Sequence, residues 1–352
     1  MLSYEFTEKM KQKKSKNWSL SSIKLVFLIV ILGIVLICSF CLGRYHIGFV
    51  DLSKILFSRI IPMDKTWTNQ MEAVVLNIRL PRIILSCLVG SCLSVAGVSY
   101  QGVFQNPMAS PDLLGATSGA AFGAALAILF GASSVLISAS AFLFSLTTVG
   151  VVFAIGRKAP GNPVVNLILA GIMISSLFTA GTSFIKLVAD PTNQLPSITY
   201  WLMGSFSGAK QHEIIFVAVP MLMGMVPLMG MRWRLNLLAM GDESCESMGV
   251  NPDEMRLIVI LASTIITAAS VSVSGMIGWV GLVIPHLCRK VIGSDYKYLT
   301  PTCMIIGAIF MLGVDNISRN LLETEIPIGI LTAFIGAPFF IYLIFRREDS
   351  QS

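Results

Sequence analysis

Residues 79–119 read RLPRIILSCLVGSCLSVAGVSYQGVFQNPMASPDLLGATSG, an arginine-flanked apolar segment that a polar corner joins to a second segment rich in glycine and alanine. The corner contains Pro107 and Pro111, and proline ends helices because it lacks the amide hydrogen that a helix interior uses. Small residues recur at three- and four-residue spacing in both segments, which lets helix backbones approach closely in lipid. The stretch therefore predicts two tightly packed helices inside a membrane transporter.

The composition of the whole chain agrees with a membrane location. The chain has 352 residues, of which 55% are hydrophobic and 12% are charged, and its mean hydropathy is +0.78. Soluble domains carry about 25% charged residues, so this chain has too little polar surface to cover a soluble core. The formal net charge is +6. Nucleic-acid binding is not predicted, because the basic residues gather at the ends of apolar runs instead of forming one basic face.

Ten apolar runs are suitable for crossing the hydrocarbon core of a membrane, which is roughly 30 Å thick and needs about 20 helical residues. The runs cover residues 23–43, 83–104, 113–131, 134–155, 164–187, 213–231, 257–275, 277–293, 301–321 and 327–345. The expected fold is therefore an all-α integral membrane protein with about ten transmembrane helices. The predicted regions are a basic N-terminal tail over 1–22, a transmembrane domain over 23–345 and a C-terminal tail over 346–352.

Basic residues near the ends of the runs predict the orientation of the chain. Six lysines precede or begin the first run, namely Lys9, Lys11, Lys13, Lys14, Lys16 and Lys24. The positive-inside rule places them in the cytoplasm, and an even number of spans returns the C-terminus to the same side. We therefore expect a multi-pass protein of the cell membrane, plasma or inner, with both termini cytoplasmic.

An internal repeat is indicated when the chain is shifted against itself by 178 positions. Five identities result, and they pair Ser94 with Ser272, Val95 with Val273, Gly97 with Gly275, Pro107 with Pro285 and Gly115 with Gly293. With an alternating topology the two copies would run in opposite directions, as in transporters that open to each face in turn. The alternative is chance similarity between two glycine-rich helices.

Several charged residues at span ends have two interpretations. Asp315 precedes Arg319 by four residues, a spacing that permits an ion pair within one helix. Arg79 and Arg82 stand at the outer entry of the second span. They either reach lipid phosphates or receive carboxylates from an external protein, because a guanidinium group pairs with a carboxylate through two hydrogen bonds. An ion-coupled carrier is disfavoured, since almost no acidic residue falls in the middle of a span.

The longest predicted cytoplasmic loop covers residues 232–256. Within it, Gly241 and Gly249 bracket the sequence DESCESM, which could form two short turns of helix with its three acidic residues, Asp242, Glu243 and Glu246, exposed. Such a mixed apolar and acidic segment suits docking against a cytoplasmic protein. An ordinary solvated loop is the alternative.

The chain lacks the sequence signatures of an enzyme. It contains no G-x-x-x-x-G-K-[ST] phosphate-binding loop, so a nucleotide would have to bind to another subunit. The three histidines show no metal-ligand spacing, and the C-x-x-C formed by Cys38 and Cys41 lies within the first apolar run. We predict no catalytic residues, no metal site and no cofactor.

Six stretches in the observed order resemble the FecCD-type permeases, which are subunits of type II ABC importers for ferric siderophores, haem and vitamin B12. They are RLPR at 79–82, QNPMASPDLLGATSG at 105–119, LILAGI at 167–172, GDESCESMGV at 241–250, GMIGWVGLVIPHLCR at 275–289 and EIPIGILTAFIGAPFF at 325–340. The resemblance implies ten helices, embedded in membrane lipid, that dimerise with a second, identical or different permease subunit. It also implies two cytoplasmic ATPase subunits and an extracytoplasmic substrate-binding protein as partners.

The resemblance also assigns roles to individual residues. It implies docking of the binding protein at Arg79, Arg82 and Arg319. It implies contact with the ATPases, and hence coupling, through Gly241, Glu243, Met248 and Gly249. The loop before LILAGI forms an inner gate in similar permeases, which points to Val164 and Val165, although this loop reads PGNPVVN where some of those permeases carry small hydroxyl residues.

The expected function is import of a ferric siderophore with ATP hydrolysed on the partner subunit. Cobalamin and haem are alternative cargoes within this class. A secondary carrier that works alone on an ion gradient is a further alternative, and transport without any ATPase would distinguish it.

Overall fold

A computed structural model describes residues 2–58 and 65–348 of the chain. The bounds of its helices are α1 Leu2–Cys41, α2 Phe49–Phe57, α3 Asn69–Ala73, α4 Leu80–Val103, α5 Ala116–Leu129, α6 Ser134–Lys158, α7 Pro163–Val188, α8 Gln194–Met203, α9 Gln211–Met231, α10 Leu235–Met240, α11 Asp242–Ser247, α12 Pro252–Ser274, α13 Val280–Ile292, α14 Tyr296–Asn320 and α15 Ile328–Glu348. A π-helical turn, Val74–Arg79, leads into α4, and a 3-10 turn, Pro111–Leu114, precedes α5.

The predicted all-α membrane fold is confirmed, and each of the ten apolar runs corresponds to one helix. Within the described residues, seven helices are long and apolar enough to cross a membrane. Helices α5 and α13 are different, since they have 14 and 13 residues. At about 1.5 Å per residue they extend about 20 Å, which is less than the roughly 30 Å of hydrocarbon. Both are shortened because the residues before them, 104–115 and 275–279, turn instead of continuing a helix.

The predicted tails at the two ends of the chain stay predictions. Helix α1 begins at Leu2, so the described part of the basic segment predicted as a tail over 1–22 is helical and continues directly into the first span. Helix α15 extends to Glu348, three residues beyond the predicted end of the transmembrane domain, and residues 349–352 lie outside the described part.

Helix α4 lies at the centre of the bundle and packs against α9, α12, α13 and α14. Close approach depends on glycine, as the small-residue spacing predicted. A β-carbon at Gly90 would overlap the carbonyl oxygen of Gly307 on α14, and one at Gly97 would overlap that of Gly281 on α13. Because α4 is surrounded by protein, most of its residues are buried.

The internal repeat is visible in the helices, but its register differs from the one that the sequence alignment indicated. Helices α4 to α7 follow the order long, short, long, long, and α12 to α15 repeat it. Corresponding helices begin fewer than 178 residues apart. The aligned pairs do not match, because Gly97 lies inside α4 whereas Gly275 ends α12, and Pro107 lies in a loop whereas Pro285 lies inside α13. Glycine and proline recur at several places in both halves, which produced the wrong register.

Candidate functional site

Three arginines that the sequence singled out lie together at one end of the bundle. Arg79 ends the π-helical turn, Arg82 lies in the first turn of α4, and Arg319 lies in the last turns of α14. They meet because α4 and α14 pack side by side, so that the beginning of one helix lies against the end of the other. All three are buried, with 3%, 5% and 8% of their surface exposed. We call these three residues the arginine cluster.

Arg82 is held by two carboxylates. Its Nε donates a hydrogen bond to Asp315 Oδ1 at 2.8 Å, and its Nη1 donates to both carboxylate oxygens of Glu325, at 2.8 and 2.9 Å. Asp315 is 1% exposed, whereas the side chain of Glu325 is 32% exposed. Arg82 Nη2 is buried and has no hydrogen-bond partner among the described residues. Glu325 therefore forms the solvent-side face of the Arg82 site, and one donor of Arg82 remains unused.

The ion pair predicted between Asp315 and Arg319 is present, with Arg319 Nε 3.6 Å from Asp315 Oδ2. It is the longer of the two pairs that Asp315 makes, since Arg82 lies at 2.8 Å. Sequence spacing revealed only the partner on the same helix. The stronger pair joins residues 233 positions apart, and no local pattern in the sequence indicated it.

The segment after α1 covers the cluster with backbone carbonyls. Arg79 donates to the carbonyl oxygens of Phe40 and Tyr45, and Arg319 donates to that of Ser39 at 2.8 Å. Arg44 adds a bond from outside, from its Nη2 to the carbonyl oxygen of Leu322 at 2.7 Å. The guanidinium groups of the cluster are thus engaged within the chain and point neither to lipid nor to open solvent. A docking role for them stays a prediction.

The opposite end of the bundle carries the segment 232–256. Gly241 and Gly249 adopt positive φ angles of +109° and +72°, which favour glycine, and they delimit α11 as the sequence predicted. The acidic residues of α11, Asp242, Glu243 and Glu246, are exposed. Met248 is also exposed, at 61%. On the inner side, Cys245 is buried in the main hydrophobic core, and burial raises the pKa of its thiol. Glu243 on α11 and Met248, the residue that follows this helix, therefore face outward, while Cys245 anchors the helix in the core.

Arg256 connects α11 to α12, and sequence reasoning did not identify it. The residue is 3% exposed. Its Nη2 donates to Asp242 Oδ1 at 2.8 Å and Oδ2 at 3.1 Å, and its Nη1 donates to Asp253 Oδ1 at 2.8 Å. Asp253 stands three residues away on α12, a spacing visible in the sequence, but the bond to Asp242 depends on the turn at Gly249 and Val250. A change in the position of α11 would thus act directly on the beginning of α12.

Val164 and Val165, the predicted gate residues, lie in the first turn of α7. Asn162 caps this turn, since its side-chain oxygen accepts hydrogen bonds from the amides of both valines, at 2.9 and 3.3 Å. Val165 is 49% exposed and Val164 is partly buried. A cavity of about 520 Å³ adjoins this turn and is lined by Arg157, Pro163, Asp253 and Arg256, among others. The loop before α7 and the Arg256 junction therefore share one cavity; a gating role for the valines stays a prediction.

A cavity of about 450 Å³, open on one side, lies between the 3-10 turn before α5 and the middle of α7. Most of its surface is apolar, and a set of hydroxyl groups supplies most of the rest, so we call it the hydroxyl-lined cavity. Hydroxyl groups dominate its polar lining, and the charged side chains there are Asp112 and Lys186. The hydroxyl-bearing residues are Thr117, Ser118, Ser175, Thr179, Thr182 and Ser183. Thr117 donates a hydrogen bond to Asp112. Sequence reasoning did not mark this lining, although the spacing of Ser175, Thr179 and Ser183, every fourth residue on α7, was a signal for it.

Comparison with known proteins places this architecture among transporters. Residues 29–346 match the FecCD transport family. The chain is 40% identical over 326 residues to the molybdate import system permease protein MolB of Haemophilus influenzae. The aligned region covers 92% of this chain and 96% of that relative. It is 37% identical to a protein named "Probable iron chelatin transport system permease protein" in Helicobacter pylori, over 80% of the chain and 85% of the relative. A solved structure described as "An inward-facing conformation of a putative metal-chelate type ABC transporter" superimposes with a TM-score of 0.82 at 39% identity, covering 92% of this chain and 98% of that one.

Proposed function

The chain belongs to the FecCD transport family and is a permease subunit of an ABC importer, and from this premise we propose that it carries an iron complex of the ferric-siderophore type across the cell membrane. Permease subunits of this kind leave ATP hydrolysis to separate subunits. The observation that supports the cargo class is the hydroxyl-lined cavity beside α7, together with the metal-chelate cargo in the names of similar proteins.

The lining of that cavity favours passage of a cargo over tight binding of it. Its hydroxyl groups form hydrogen bonds with many ligands, and its one lysine and one aspartate leave it with little net charge. Conduction requires contacts that are favourable enough for entry but weak enough for release. A large complex such as a ferric siderophore would therefore pass without a dedicated binding site in the permease, and an extracytoplasmic binding protein would supply selectivity.

A molybdate-type oxyanion is the second candidate cargo. The similarity to MolB, which extends over 96% of that relative, favours it. Neutral hydroxyl donors also suit a tetrahedral oxyanion, and Lys186 would add one positive charge. Against it, Asp112 brings a carboxylate to the same lining.

The partners follow from the proposed function. A second permease subunit would complete the transmembrane pathway in the lipid bilayer. Two ATPase subunits would seat against the segment 232–256, with Gly241, Glu243, Met248 and Gly249 in the coupling contact. The binding protein would dock at the end of the bundle that carries Arg79, Arg82 and Arg319. The positive-inside rule predicts cytoplasmic termini, and with that orientation this end lies outside the cell. Val164 and Val165 would narrow the cytoplasmic exit.

Uptake by proteoliposomes tests the cargo. The permease is reconstituted with its ATPase and binding protein, and accumulation of radioactive ferric siderophore and of radioactive molybdate is measured in parallel, with ATP or a non-hydrolysable analogue inside. We expect ATP-dependent uptake of the iron complex and none of molybdate. Uptake of molybdate alone would establish the second candidate. Accumulation by vesicles that contain the permease without any ATPase would contradict the importer mechanism itself.

A further inference from the structure

Glu325 occupies the position that an incoming carboxylate would need in order to reach Arg82. The side chain of Arg82 is 6% exposed, and the bidentate bond from its Nη1 to Glu325 lies on the side that is open to solvent. Asp315, the other carboxylate on Arg82, is 1% exposed and lies on the inner side. A protein that docks through Arg82 must therefore displace Glu325, since Asp315 is not reachable.

The charge of the site favours such an exchange. The arginine cluster contains three buried arginines and pairs with two carboxylates among the described residues. Asp315 pairs with Arg82 and Arg319, and Glu325 pairs with Arg82. The exposed guanidinium group of Arg44 lies beside them, over the carbonyl of Leu322. The arginine cluster and its neighbours therefore carry more positive than negative charge even while Glu325 contacts Arg82. A second carboxylate from outside would be attracted, and it would bind the Nη1 of Arg82 that Glu325 occupies.

Displacement requires the rotation of one side chain. The backbone next to Glu325 is fixed, because the amide of Ile326 donates to the carbonyl oxygen of Ser318 at 3.1 Å and the hydroxyl of Ser318 donates to the carbonyl oxygen of Ile326 at 2.6 Å. The carboxylate itself is partly exposed and has open solvent to turn into. The loop can thus keep its fold while Glu325 leaves Arg82.

We propose that Glu325 is a displaceable internal carboxylate that occupies Arg82 in the free permease and gives way to a carboxylate of the docking extracytoplasmic protein. The identity of that protein rests on the proposed function, whereas the exchange of carboxylates rests on the contacts of Arg82. Because one carboxylate replaces another, the net gain on docking is small. Docking would consequently be reversible, as a binding protein that must leave after delivery requires.

An acidic peptide tests the exchange on the permease alone. The full-length permease is reconstituted in nanodiscs, and binding of hexaglutamate is measured by microscale thermophoresis, with hexalysine as the charge control. Glu325→Gln should bind hexaglutamate about three- to tenfold more tightly than the unchanged protein, because the internal competitor is weakened. The matched control is Glu323→Gln, which removes an equal charge from an exposed position in the same loop. The double variant Arg82→Gln with Glu325→Gln should lose the gain.

Equal affinities of Glu325→Gln and Glu323→Gln would overturn the proposal, since the effect would then be one of overall charge. A second variant, Glu325→Ala, is included because the amide oxygen of glutamine could still accept a hydrogen bond from Arg82. Thermal unfolding of every variant establishes that it is folded. The peptide assay contains neither cargo nor ATP. Failure of the exchange with intact uptake therefore removes only this proposal, whereas failed uptake with an intact peptide response removes the proposed cargo and leaves the exchange standing.

Discussion

The stability of this fold depends on single residues at places where a charged group is buried or where two helices are in close contact. Asp315 is the clearest case, because it lies between Arg82 and Arg319 with 1% of its surface exposed. Removing one partner from a buried ion pair leaves an uncompensated charge in a medium of low dielectric constant. The same residue would be of little consequence on the surface, where water and salt screen ion pairs.

We expect Asp315→Ala to lower the free energy of unfolding by about 3 kcal/mol, the lower end of the cost of breaking a buried pair, because Glu325 still neutralises Arg82. Unfolding in mixed detergent micelles, followed by circular dichroism, measures this. Glu246→Gln removes a carboxylate from the exposed face of α11 and is the control, with an expected change close to zero. Equal stability of the two variants would show that the Arg82–Asp315 pair contributes nothing to the fold.

Two glycines inside helices differ in the space that surrounds them. Gly97 on α4 touches the backbone of Gly281, whereas Gly150 on α6 has open space at the point where a β-carbon would lie, since no described atom beyond its neighbours and the adjacent backbone of α6 lies within 4 Å. We expect Gly97→Ala to destabilise the protein by about 1–3 kcal/mol through overpacking. Gly150→Ala should be neutral or stabilising by up to about 1 kcal/mol, since alanine is the better helix former. The same unfolding assay compares the two variants. Equal changes in the free energy of unfolding would contradict the close contact between α4 and α13.

Much of the helical structure was predictable from the sequence, and the reasons are local. Apolar runs gave the ten main helices, and the pair Gly241 and Gly249 gave α11 with its exposed acidic face. Long-range facts were not predictable. Nothing near Arg82 indicated that Asp315 and Glu325 would reach it, and nothing near Asp242 indicated Arg256. The short length of α5 was hidden because the 3-10 turn before it is itself apolar in composition.

Arg256 on α12 connects this helix to α11 through its ion pair with Asp242. We expect Arg256→Met to lower the amount of cargo transported per ATP hydrolysed by about two- to thirtyfold, since mutations along a coupling route change the coupling free energy by about 0.5–2 kcal/mol. ATP hydrolysis and uptake are measured in the same proteoliposomes. Asp253→Asn is the matched control, because Asp253 is 80% exposed and its bond to Arg256 is screened by water.

Charge exchange separates a mechanical role of Arg256 from a merely structural one. The double variant Asp242→Arg with Arg256→Asp reverses the pair, and we expect it to restore part of the lost coupling. A loss of uptake in proportion to a loss of folded protein, with the ratio of cargo to ATP unchanged, would contradict coupling through Arg256.

The two halves of the permease place their short helices, α5 and α13, directly after turns, and the hydroxyl-lined cavity beside α7 begins at one of these turns. Alternating access through this cavity, as the proposed function implies, would open it to one side of the membrane at a time. The repeated order of helices provides two similar bodies that can tilt against each other. The cavity should therefore change its accessibility when the partner ATPases bind nucleotide.

Cysteine labelling measures that change. In the assembled transporter, Ser183→Cys should react with a membrane-impermeant methanethiosulfonate reagent at rates that differ between the nucleotide-free and the ATP-bound, hydrolysis-blocked states, because Ser183 lines the cavity. Phe184→Cys is the matched control, since Phe184 is the next residue of α7 and its 64% exposed side chain does not line that cavity. The reaction of the native cysteines in unmodified protein is subtracted. A rate for Ser183→Cys that is the same in both states would contradict alternating access through this cavity, and uptake by the same variant establishes that the labelled protein is functional.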